Sequence, residues 1–138
     1  MIRTDEIAKD RHGGVFVAKI MIVDDNDDIR YTIKSSLESS GENFELVEAT
    51  SGEDCLKKLP EEKPDLILMD VMMPGLDGME TTIKVRENPD FKDVKIIYLT
   101  AKTDSLTKGM GSLTGEDFIE KPFDPDDLVG RIKKSLGK

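Results

Sequence analysis

Residues 20–28 read IMIVDDNDD, four apolar side chains set directly against four carboxylates in five positions. An apolar run without polar alternation suits a strand covered on both faces, as in the middle of a parallel sheet. The carboxylates then stand at the strand's carboxyl end, the edge at which open α/β sheets bind their ligands.

Apolar strand-sized runs recur along the chain. The first covers residues 18–23, and others follow at 44–47, 66–69, 96–99 and 118–119. Between them apolar residues fall at helical spacing: Ile29, Ile33 and Leu37; Cys55, Leu56 and Leu59; Met79 and Ile83; Leu106, Met110 and Leu113; Leu128, Val129, Ile132 and Leu136. A β-α unit repeated in this way predicts an α/β fold, a doubly wound five-stranded parallel sheet with helices on both faces. The helix starts are marked as well. Residues 50–53 (TSGE) and 77–80 (DGME) have capping-box spacing, and Asp124-Pro125 puts a cap before a proline at the first helical position. The fourth helix carries Gly109, Gly111 and Gly115, each interior glycine costing about 1 kcal/mol against alanine, and is expected to be short, frayed or displaced.

At 138 residues the chain has room for one domain with a real core. Its net charge of -9 argues against direct nucleic-acid binding, which rests on clustered Lys and Arg. No apolar run approaches the roughly 18 residues of a membrane span, so no membrane partner is expected. The lone cysteine, Cys55, has apolar neighbours and reads as a buried thiol in a reducing, cytoplasmic setting. Residues 1–14 form a polar leader closed by Gly13-Gly14, and the domain proper covers residues 15–138. His12, the only histidine, lies in that leader and reads as a surface bystander. Met69, Met72, Met73 and Met79 are expected to fill an irregular core.

If the strand order is the flavodoxin-like 2-1-3-4-5, strands one and three are neighbours and Asp24, Asp25 and Asp70 converge. Two like charges about 4 Å apart repel by about 1 kcal/mol in water and about 4 at an effective dielectric of 20. A helix N-terminus offsets part of this and can account for Asp27, Asp28 and one carboxylate of the Asp24/Asp25 pair. It does not account for Asp70, which follows a different strand. A hard divalent cation does, because Mg2+ takes carboxylate oxygens together with water and phosphate oxygens. Thr100 and Lys121 end the fourth and fifth strands. Singly they read as a β-favouring residue and a surface charge; at one edge they offer a phosphoryl group a hydroxyl donor and a point charge.

Taken together, Asp24-Asp25, LILMDVMMPGLDG (66–78), IIYLTA (96–101) and DFIEKPF (117–123) resemble the receiver domain of two-component response regulators. The resemblance spans about residues 18–137. It implies that Asp70 accepts a phosphoryl group from a sensor histidine kinase or phosphotransfer protein, and that a downstream output protein or domain reads the result. It also implies an Mg2+ site of Asp25 and Asp70, with Asp24 mainly through water and the backbone carbonyl of Met72. Lys121 and Thr100 would hold phosphoryl oxygens. Thr100 and the aromatic Phe118 would form the switch, Phe118 reading otherwise as an ordinary core side chain. The family has a cis bond where Lys121-Pro122 stands, and a homodimer face made by the fourth helix, fifth strand and fifth helix. On this reading the chain is no enzyme beyond phosphorylating its own aspartate and slowly losing the group. Met72 and Lys102, two residues past Asp70 and Thr100, would hinder the hydrolytic water and lengthen that lifetime.

The spacing from Thr100 to Lys121 is about one residue shorter than the family's, which bears on the fourth-helix face. Two other functions remain in play. An Mg2+-dependent phosphohydrolase of haloacid-dehalogenase type would want an aspartate where Met72 stands, and a phosphorylation-independent interaction domain would not need every active-site residue type. A stand-alone receiver and a piece of a longer regulator or hybrid kinase fit the sequence equally.

Overall fold

The computed structural model describes residues 18–101 and 117–137. The expectations for the leader and His12, for Lys102 and for the fourth helix with its glycines fall outside them. Within the described residues, strands β1 (Ala18–Val23), β2 (Phe44–Ala49), β3 (Leu66–Asp70), β4 (Lys95–Ala101) and β5 (Asp117–Lys121) form one sheet. Helices α1 (Asp27–Ser39), α2 (Gly52–Glu62), α3 (Gly78–Glu87) and α4 (Pro125–Ser135) join or follow them, and a 3-10 turn (Pro89–Phe91) precedes β4. The sheet order is β2-β1-β3-β4-β5 with every pairing parallel, as the β-α rhythm predicts.

Pleating divides the apolar residues between two cores. β1 sends Ala18, Ile20 and Ile22 to one face, where they meet Ile33 and Leu37 of α1 and Leu128 and Ile132 of α4. It sends Met21 and Val23 to the other, against Cys55 and Leu59 of α2 and Val85 of α3. All five residues of β3 are buried, which makes it the axis of the domain. Each fully buried Leu or Ile contributes about 1.5–3 kcal/mol. Cys55 is fully buried, and burial pushes its thiol up to about 12, so it is an inert packing group.

Three expectations need correction. Met72 is not core: it is 65% exposed in the loop after β3, whereas Met69 and Met73 are buried and Met79 packs on them. Ile83 is 59% exposed, because α3 turns Thr81, Thr82 and Val85 inward instead. The α2 cap is Ser51, one residue later than the TSGE spacing suggests; its Oγ accepts from Asp54 N at 2.9 Å, and Asp54 in turn accepts from Thr50 N. Glu53 is thereby released to accept from Leu76 N in the loop after β3, at 3.2 Å. The Asp77/Glu80 capping box and the Asp124 cap before Pro125 are present as expected.

Backbone pairing carries the strands further than their apolar runs, since a ladder is indifferent to side-chain polarity. Asp70 pairs with Leu99 and Lys121 with Ala101, so both functional candidates are strand residues held by the sheet. The loop after β3 is equally constrained. Gly78 N donates to Val71 O at 2.8 Å, and a Cβ on Gly78 would lie 2.3 Å from Asp70 O, so only glycine lets α3 start this close to the end of β3.

Candidate functional site

The sheet delivers the candidates to one edge. Asp24 follows β1 directly, its N–H extending the ladder to Ala49 O at 3.2 Å. Asp70 ends β3, Thr100 lies one residue from the end of β4, and Lys121 ends β5. Because β1 and β3 are neighbours, carboxylate oxygens of Asp24, Asp25 and Asp70 come within 4.8 Å of one another.

Asp24 and Asp70 are almost fully buried, and Asp25 is exposed. Lys121 spans the two buried carboxylates, its Nζ 3.1 Å from Asp24 Oδ2 and 3.0 Å from Asp70 Oδ1. Burial, then the neighbouring charge of Asp24, pushes Asp70 up to about 6 despite the pull of Lys121. Burial pulls the Lys121 ammonium down, and Asp70 and Asp24 more than reverse it, so its pKa is raised. The pocket thus sets three acidic side chains, Asp70 mainly ionised at neutral pH, against one ammonium. That negative excess, with three acidic oxygens converging, fits a small hard cation such as Mg2+.

Asp27 and Asp28 stay out of this cluster. They occupy the first turn of α1, as expected, while the cap itself is Asn26, whose side chain accepts from Asp28 N and Ile29 N. Thr100 is 1% exposed, and its Oγ1 has no hydrogen-bond partner among the described residues. A buried hydroxyl left unpaired costs about 1–3 kcal/mol, so this one has capacity for a further partner at the rim. Phe118, beside Tyr98 across the β4–β5 ladder, is half-buried and packs on the α2/α3-side core. The Lys121-Pro122 bond is cis, as the resemblance implies.

One charged neighbour went unread in the sequence. Arg30, 7% exposed, donates from Nη1 to Asp24 O at 2.6 Å and from Nε to Glu48 Oε1 at 3.0 Å, and also pairs with Asp27. Its only sequence signal is the i,i+3 spacing from Asp27, which ordinarily marks a solvated helix surface.

The family described as "Response regulator receiver domain" matches residues 20–133. The chain is 40% identical over 119 residues to the alkaline phosphatase synthesis transcriptional regulatory protein PhoP of Bacillus subtilis, covering 86% of this chain and 48% of that protein. It therefore spans about half the length of that relative. It is 35% identical over 116 residues to Protein PilG of Pseudomonas aeruginosa, with 83% and 84% covered. Among solved structures, the chemotaxis protein CheY4 of Vibrio cholerae superposes with a TM-score of 0.78 at 31% identity, over 86% of this chain and 98% of that one.

Proposed function

The chain belongs to the response regulator receiver domain family of two-component systems, whose role is to accept a phosphoryl group, and we propose that Asp70 is the residue that takes it. The observation that supports this reading is an ionisable carboxylate bridged by Lys121, beside a buried Thr100 hydroxyl on the adjoining strand that has no partner among the described residues. An Asp70 oxygen attacks the phosphorus of a phosphohistidine; a P–O bond forms, the P–N bond breaks, and the imidazole leaves with the electron pair and takes a proton. Lys121 then exchanges a carboxylate oxygen for a phosphoryl oxygen, and Thr100 Oγ1 donates to another.

Asp25 and Asp70 would hold Mg2+ directly, Asp24 mainly through water, with the Met72 carbonyl as a further ligand. When bound, the ion offsets the charge that builds on the phosphoryl oxygens. The donor is a sensor histidine kinase or phosphotransfer protein, and the reader is an output protein or domain. Filling the Thr100 hydroxyl biases a two-state arrangement of β4 and β5 in which Phe118 repacks. The chain turns over no external substrate: it phosphorylates itself and loses the group slowly. The exposed Met72 beside the acceptor restricts water there, so loss of the phosphoryl group within seconds contradicts that detail.

Acetyl phosphate with Mg2+ tests the assignment by intact-protein mass. The wild type gains one phosphoryl group and Asp70→Asn gains none; equal labelling of both, or none of the wild type, overturns it. Repeated release of phosphate from small phosphate esters would instead favour a phosphohydrolase.

A further inference from the structure

Arg30 is a buried cation that phosphoryl transfer does not use. Arginine is rarely buried this far unless fully paired, and here every branch of the guanidinium is committed. Its acceptors lie on three different parts of the fold: the Asp24 carbonyl just past β1, Asp27 of α1 itself, and Glu48 of the edge strand β2. Glu48 is a fixed post in its own right, with Lys34 Nζ 3.3 Å from its other carboxylate oxygen and Lys58 Nζ 2.7 Å from its backbone carbonyl.

The carbonyl that Arg30 grips is the peptide between Asp24 and Asp25. A peptide is planar and carries both flanking α-carbons in its plane, so fixing its oxygen constrains the directions in which both side chains leave the backbone. The two Asp24 carboxylate oxygens are engaged separately, Oδ1 by Asn26 N at 2.9 Å and Oδ2 by Lys121. Backbone already ties Asp24 to the end of the sheet's outer strand through Ala49 O, and Arg30 adds the side-chain tie, from the Asp24 carbonyl to Glu48.

We propose that Arg30 is a positioning residue for the acidic pair, holding the Asp24-Asp25 peptide against Glu48 so that both carboxylates face Asp70 at cation-binding distance. The claim rests on the metal-dependent phosphoacceptor reading above. It requires the guanidinium fork and not merely a positive charge: an ammonium carries its three donors on one nitrogen and cannot reach three acceptors as far apart as those met by Nε, Nη1 and Nη2.

The test compares Mg2+ affinity, by calorimetric titration of the unphosphorylated chain, in wild type, Arg30→Lys, Arg30→Gln and Glu48→Gln. Arg30→Lys is expected to weaken Mg2+ about tenfold, the scale of outer-shell losses at metal sites. Its labelling deficit with acetyl phosphate should shrink as Mg2+ is raised. Glu48→Gln, which leaves Arg30 in place and loosens its post, should fall between wild type and Arg30→Lys. Unchanged Mg2+ affinity in a folded Arg30→Lys overturns the proposal, whether the melting temperature falls or not. So does an Arg30→Lys that matches wild type while Arg30→Gln is weak, since charge alone would then suffice. If Arg30→Lys does not fold, Glu48→Gln decides, and wild-type affinity there counts against positioning. A wild type that binds Mg2+ in an Arg30-dependent way but takes no phosphoryl group would support the role of Arg30 while sinking the phosphoacceptor reading.

Discussion

Leu66, Ile67, Leu68 and Met69 are fully buried in β3, and Asp70, which follows them on the same strand, is 6% exposed. Burial stabilises the first four by removing apolar surface from water, and it works against the fifth by raising the cost of its charge. The same contrast runs across the sheet. The strand interiors are filled by packing within the chain, while the carboxyl rim gathers three carboxylates around one lysine, and a threonine hydroxyl that has no partner among the described residues. On the proposed function interior residues answer to stability and rim residues to ligands, and substitutions on one strand should separate the two.

The largest separation is expected from Asp70→Asn. Labelling by acetyl phosphate is lost, while the Mg2+-free protein melts at or above the wild-type temperature, because a costly buried charge has been removed from a full-sized side chain. A large drop in melting temperature would make Asp70 a structural residue and erase the contrast. Two positions earlier, Leu68→Ala should do the reverse, costing about 2–5 kcal/mol in urea unfolding while the folded fraction still takes label on Asp70. Next in size, Mg2+ at about a hundredfold over its Kd should stabilise the wild type by about 2.7 kcal/mol. The gain should be smaller in Asp25→Asn, and a melting temperature flat across saturating Mg2+ would mean that the rim holds no cation.

The smallest effect concerns Glu48, on the far side of Arg30 from the pocket. Burial acts to raise its carboxyl, and Arg30 and Lys34 outweigh that, holding it below the usual carboxylate range. A depressed folded-state pKa contributes stability above the unfolded value and loses it as pH falls through the folded one. The melting-temperature gap between wild type and Glu48→Gln should therefore be present at neutral pH and close on acidification below about pH 4. A gap independent of pH would mean that packing, not the ion pair, fastens Arg30 to β2.

Sequence pattern revealed the interior and the acidic members of the rim for different reasons. The strands were legible because apolar runs such as residues 20–23 and 66–69 answer to burial alone, and Asp24, Asp25 and Asp70 because carboxylates at strand ends have few packing uses. What pattern missed depends on long-range placement. Arg30 looks like helix-surface charge until β2 brings Glu48 beside it, 18 residues on. Met72 and Ile83 look like core until the loop and α3 turn them outward. The shift of the α2 cap from Thr50 to Ser51 gives Glu53 a contact with the loop after β3 that no local rule anticipates.

On the proposed function the rim carries a phosphoryl group on one residue, Asp70. Borohydride reduction of the acetyl phosphate-treated chain, which converts an aspartyl phosphate to homoserine, followed by peptide sequencing in a mass spectrometer, locates that residue directly. Homoserine at position 70, formed only when Mg2+ is present, is the predicted result. Homoserine at Asp24, at Asp25 or at any other aspartate, with position 70 left intact, would contradict it.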